Sequence, residues 1–134
     1  MTDRHVFSKN LNPTISISSK VVSTSYDISI TGALAITGAG FTPRAACIFA
    51  LVDGTSAASW SFIDNAGGMS GIVDTHVVVA DTYGSTGNAS YLRTAGATSA
   101  QCDWASWDAD GMTLTRTKTG LPTGTGLLRI LFIK

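Results

Sequence analysis

Two histidines, two cysteines and nine acidic residues, all of them aspartate, supply most of the groups with which this chain could do acid–base, nucleophilic or metal chemistry. A metal pair would need both histidines on one face with a supporting carboxylate. Asp74 lies two residues before His76 and would share its strand face, but His5 falls in an N-terminal stretch of different character. Nucleophilic catalysis would place Ser or Cys beside His76 with an acid orienting the ring. Serines are too frequent for adjacency to mean anything, and no Gly-x-Ser-x-Gly elbow occurs. Paired carboxylates for glycoside hydrolysis could come from Asp53, Asp64, Asp74, Asp81, Asp103, Asp108 or Asp110. Most of these sit at turn signals, where aspartate caps the chain. Asp108-Ala109-Asp110-Gly111 resembles the start of a calcium loop, but Met112-Thr113-Leu114-Thr115 follows with no acid, so a hairpin turn is the expectation. Gly38-Ala39-Gly40 lacks the third glycine, the helix and the Lys-Ser/Thr of a phosphate loop. Cys47 and Cys102 lie in apolar stretches without CxxC or CxxH spacing and read as two buried free thiols. The expectation is therefore no catalytic residue, no cofactor and no metal, in a protein that is not an enzyme.

Aromatic residues offer a different chemistry, the stacking of sugar rings. Trp60, Trp104, Trp107, Tyr83 and Tyr91 are the candidates. Trp104 and Trp107 are three apart, so on a regular strand they point to opposite faces. Trp60 and Trp104 are expected in the core, and Trp107, beside the turn, is the candidate exposed ring. Asn88-Ala89-Ser90 fits a glycosylation sequon and is read as an ordinary loop.

The elements that must position these residues are strands. Residues 15–18, 28–30 and 112–115 alternate apolar and polar, the two-residue repeat of a half-buried strand. Residues 46–52 and 76–80 are continuous apolar runs, expected to be covered on both faces. Over 127–133, Leu128, Ile130 and Phe132 face one way and Leu127, Leu131 and Ile133 the other. That strand should be central in a sheet or buried in an interface. No window carries helical spacing of apolar residues, and turn signals such as Asp53-Gly54 and Asp110-Gly111 recur at short intervals. An all-β, antiparallel β-sandwich with jelly-roll-like wrapping is predicted over 13–134, preceded by an N-terminal arm over 1–12 that is either loose or laid on a neighbouring subunit.

Composition bounds what such a domain meets. A length of 134 residues suits one domain with a real core. Charged residues are only 13% against 44% apolar, where a free monomer usually carries about a quarter charged. Much of the surface is therefore small, hydroxylated or apolar, which fits a subunit that hides area against neighbours. Net charge is zero and no basic stripe exists, so nucleic acid is a poor partner. No apolar run approaches the ~20 residues of a membrane helix, and Met1-Thr2-Asp3-Arg4-His5 opens into no signal-peptide core. Synthesis in a cytoplasm is expected, with no membrane partner.

Ile36-Thr37-Gly38-Ala39-Gly40-Phe41-Thr42-Pro43, followed by the strand from Ala46, is similar to a TGxGFxP strand entry; Ala105-Ser106-Trp107-Asp108-Ala109-Asp110-Gly111-Met112-Thr113-Leu114 is similar to a DADG hairpin. Together the two stretches resemble a group of phage virion β-sandwich structural proteins. The likeness spans residues 28–134 and leaves the arm outside. Gly38 and Gly40 would let the backbone reverse, Phe41 would plug the sandwich end and Pro43 would fix the strand's entry. The resemblance implies a particle component and carries over no catalytic position. The expectation is a virion structural protein, a capsid decoration or cement protein made in the host cytoplasm. It would form a homo-oligomer, taken as a homotrimer, and bind the major capsid protein or other virion subunits. The alternative is a tail-associated module that binds a receptor or glycan through Trp107 and nearby loops.

Overall fold

The computed structural model describes residues 17–134 apart from 67–68, 78, 86–87 and 96, with backbone alone over 69–85. The predicted arm, His5 and half of the first alternating stretch lie outside the described residues, as do the side chains of Asp74, His76, Asp81 and Tyr83. Ten strands follow one another: β1 (Ser19–Asp27), β2 (Gly32–Thr37), β3 (Ala45–Val52), β4 (Ala58–Ile63), β5 (Met69–Val77), β6 (Val79–Ser85), β7 (Ser90–Ala95), β8 (Thr98–Asp108), β9 (Gly111–Thr119) and β10 (Thr125–Ile133). No helix occurs among the described residues. The strands form a six-stranded sheet, β1-β10-β3-β4-β5-β6, and a four-stranded sheet, β2-β9-β8-β7. Every pairing is antiparallel, and the two sheets pack face to face as in a β-sandwich. Outer pairs nest, β1 with β10 and β2 with β9, while β3 to β6 and β7 to β9 run as meanders.

Period-two patterning decides which residues enter the space between the sheets. From the six-stranded sheet come Ile48, Ala50, Val52, Leu128, Ile130 and Phe132; from the other come Ile36, Leu92, Ala100, Cys102, Met112 and Leu114. Each large side chain so buried contributes roughly 1.5–3 kcal/mol. Two buried serines break the apolar rule on β4, and both have work at the sheet edge. Ser61 Oγ donates to the carbonyl of Ala89, and Ser59 Oγ accepts from the N–H of Tyr91 at 3.2 Å. They satisfy backbone groups that edge strand β7 would otherwise bury unpaired. At the opposite side Tyr26 lies across from Gly126. A Cβ on Gly126 would come within 2.6 Å of the tyrosine ring, so the ring occupies the space glycine leaves.

Several sequence expectations shift in register. Residues 28–30 are not a strand but the turn after β1. Asp27 accepts from the Ser29 N–H at 2.8 Å, and Ile28 N–H donates to Gly124 O at 3.2 Å. Ile28 is buried and Ile30 exposed, so their alternation reports a chain crossing the sandwich end. The apolar run at 76–80 is divided between the end of β5 and the start of β6, with Val77 opposite Val79. Strand β3 is covered on one face only, its residues alternating with half-buried Cys47 and exposed Phe49. Strand β10 is central, between β1 and β3, as its sequence required.

Candidate interaction face

The outward face of the six-stranded sheet follows from the pairing registers. One row across it reads Val21, Leu131, Cys47, Phe62; the next reads Ser23, Arg129, Phe49, Trp60; a third reads Ser25, Leu127, Leu51, Ala58. Trp60 is 51% exposed, Phe49 49% and Val21 56%, with Phe62 and Leu131 also open to solvent. Five of the large exposed apolar side chains thus share one surface. Two shallow hollows, of about 390 and 410 Å³, flank its middle. Val21, Cys47, Trp60 and Leu131 line the first, Leu51 and Leu127 the second, and Phe49 and Arg129 border both.

The sequence does not reveal this face: it places Trp60 in the core and β3 under cover on both sides, whereas Trp60 and Phe49 are half exposed. The signal was nonetheless present in β4. Its sequence alternates small residues with large aromatics, Ser59-Trp60-Ser61-Phe62. Here the serines face the core and the aromatics face out, because β7 needs hydroxyls inside.

The expected separation of Trp104 from Trp107 fails for a local reason. The register of β8 against β9 slips between Trp104 and Ser106, so Ala105 is an extra residue. That bulge restores both rings to the same face. They lie opposite Leu114 and Met112, pack on the core, and stand 5.8 Å apart centroid to centroid with a 55° tilt. Trp107 is therefore half-buried rather than freely exposed. It borders a polar groove at the sandwich end with Phe41, Arg44, Asn65 and Lys134.

The two motifs read in sequence meet in space. Asp110 accepts from the N–H of Gly38 at 3.0 Å and of Gly40 at 2.5 Å, and the Ala39 N–H donates to the Asp110 carbonyl at 3.0 Å. Gly38 and Gly40 both have positive φ, which turns their N–H groups toward one carboxylate. Those two bonds hold the Asp110 carboxyl below its ordinary range. The hairpin turns on Ala109 and Asp110 rather than Asp110-Gly111. Gly111 opens β9, where an added Cβ would lie 2.0 Å from the carbonyl oxygen of Ile36. Asp108 is occupied separately, accepting from Ser106 Oγ at 2.9 Å and Thr113 Oγ1 at 2.7 Å. The two aspartates thus serve different partners. Among the described residues no group of three His, Cys, Asp or Glu converges on a metal position.

Other candidates are dispersed. Cys102 is buried between the sheets and Cys47 only half-buried on the outer face, both free thiols. Burial pushes the Cys102 thiol and the Tyr26 phenol up. Both groups lie near Ser90, although the Tyr26 hydroxyl completes no hydrogen bond. Burial likewise raises Asp103, one of whose carboxylate oxygens is enclosed without a partner. Asp53 and Asp64 are exposed, and Ala89 and Ser90 of the sequon are buried. Comparison with protein-family models, curated protein sequences and solved structures gave no match, so the functional reading rests on this chain's own surfaces.

Proposed function

We propose that this chain is an adhesive structural subunit that docks through the outer face of its six-stranded sheet. The carrying observation is the gathering of Val21, Phe49, Trp60, Phe62 and Leu131 on one exposed surface. Contiguous apolar patches on soluble proteins mark interaction sites, and a low charge content makes the rest of the surface no competitor. The TGxGFxP and DADG motifs, locked together by Asp110, favour a phage virion structural protein as the specific form. In that form the chain is a capsid decoration or cement protein, made in the host cytoplasm and carried on the virion. Nested outer pairs support a jelly-roll-like wrapping as the finer description of the fold. The face meets the shell, and copies associate as a homotrimer through the remaining surface. Strand β2, whose sequence Gly-Ala-Leu-Ala-Ile-Thr has neither charge nor proline, supplies an edge for such contacts. Co-sedimentation with purified shells tests this. Wild type should pellet with shells and the Phe49→Ser/Trp60→Ser variant should stay in solution. A folded wild-type protein that neither self-associates nor pellets would end the cement reading. Selective binding on a glycan array, lost in Trp60→Ala or Trp107→Ala, would replace it with the tail-associated receptor-binding module.

A further inference from the structure

Arg129 stands near the centre of the apolar face, between Ser23 and Phe49 in its row and with Trp60 one strand further. No described side chain in its own row or the two adjoining rows is a carboxylate: the neighbours are Val21, Leu131, Cys47 and Phe62 on one side and Ser25, Leu127, Leu51 and Ala58 on the other. Asp74 pairs with Ala58 on β5, three strands from β10 and therefore ~14 Å away at the ordinary strand spacing. Asp27, at the far end of β1, is engaged with its own turn at Ser29. A guanidinium enclosed by a docked partner must be paired, because an uncompensated buried charge is strongly unfavourable. Two copies packed with the Arg129 row at their centre would set two guanidiniums together with no described carboxylate in the three rows between them, since exposed Asp53 lies two residues beyond Leu51, past the last of these rows.

We propose, resting on the docking role above, that this face takes a different protein surface presenting a carboxylate flanked by apolar side chains. The carboxylate meets Arg129, and an apolar group enters each of the hollows that border Phe49. Arginine suits the position, since its planar fork binds a carboxylate at two points while its stem lies on apolar surface. Aromatic residues and arginine in the middle of a patch are also the usual carriers of binding energy.

Selection of a random linear peptide library against the immobilised full chain tests the chemistry without knowing the partner. Enriched peptides should combine Asp or Glu with large apolar residues and bind about tenfold or more weakly to Arg129→Glu. Peptides carrying Lys in place of the acid should recover binding to that variant. Binding that is lost in Phe49→Ser/Trp60→Ser but shows no acid requirement overturns this inference and leaves the docking face standing. Peptides indifferent to both variants overturn the docking face itself. Sedimentation supplies the remaining arm: a wild-type dimer abolished by Trp60→Ser would make a second copy the occupant and refute the proposal.

Discussion

The outward row of β9 reads Thr113, Thr115, Thr117, and its neighbours are Ala33 and Ala35 on β2 and Gln101, Asp103 and Ser106 on β8. The outward rows of β3, β4 and β10 read Phe49, Leu51, Trp60, Phe62, Arg129, Leu131. Both surfaces obey the same alternation, and both lie behind an apolar inner face. On the four-stranded sheet the outward groups are mostly small or polar: Asp108 collects the hydroxyls of Ser106 and Thr113, and threonine gives β propensity with a polar tip. On β3, β4 and β10 of the six-stranded sheet they leave apolar area and the Arg129 guanidinium facing out. If the outer face of the six-stranded sheet docks as proposed, substitutions on the two surfaces should separate stability from binding.

The sharpest contrast lies within one strand. Ile130 is fully buried and Leu131, its neighbour on β10, is 36% exposed. Ile130→Ala should cost about 4 kcal/mol through lost transfer energy and a cavity, and Leu131→Ala less than about 1 kcal/mol. Urea midpoints of the two variants check this. Equal losses would mean that the outer face is already covered in the free protein. Next in size is Gly111→Ala, on the supporting sheet. Its methyl group meets the Ile36 carbonyl at 2.0 Å, so β2 must move off β9. A loss of about 3 kcal/mol is expected, read as a lower thermal midpoint.

These contrasts also locate what a sequence can and cannot carry. The two faces of β10 are legible because seven residues with strict parity leave one solution, and a strand apolar on both sides is expected to be central in a sheet or buried in an interface; its pairing with both β1 and β3 shows the first. Residues 28–30 carried the same alternation, yet three residues are too few to distinguish a strand from a turn that buries its first isoleucine. Trp104 and Trp107 were misplaced because a bulge changes parity, and nothing in Trp-Ala-Ser-Trp announces one extra residue. The DADG turn is legible, but its bonds to Gly38 and Gly40, 72 and 70 residues away, belong to the topology. The outward apolar face is not legible because apolar residues that enter a core and those left outside it are chemically alike. Only the registers and the exposure of Phe49, Trp60 and Leu131 show that no described residue covers the outer side of β3 and β10.

Acid should weaken the turns that Asp110 and Asp27 hold. Asp110 and Asp27 are both held below the ordinary carboxylate range by hydrogen bonds to the chain, Asp27 through Ser29. A carboxylate with a lowered folded-state value contributes stability that is fully present above its unfolded value, about 3.9, and is lost as pH falls through the lowered one. Asp103 has the opposite sign, since burial raises it, and acidification relieves its cost. Urea midpoints measured from pH 7 to pH 3 should therefore fall at the acid end in wild type and fall less in Asp110→Asn. Asp103→Asn should be at least as stable as wild type at pH 7. An Asp110→Asn variant with an unchanged pH profile would show that the Gly38–Gly40 contact does not persist in solution.

The smallest expected change in stability is the one that tests the outer face most directly. Phe49→Ser/Trp60→Ser removes two aromatic rings that are half solvated already, so the variant should lose no more than about 1 kcal/mol. Serine is a weaker strand former than either aromatic, and part of even that loss is propensity rather than contact. Binding of a hydrophobic dye to the native protein should fall sharply in the same variant, because the two rings border the hollows on that face. The matched control is Thr115→Ser/Thr117→Ser on the other sheet, which should leave dye binding unchanged. If the aromatic pair instead costs as much as Ile130→Ala, Phe49 and Trp60 are packing against this chain itself. The six-stranded sheet would then have two covered faces, and its partner would be its own polypeptide.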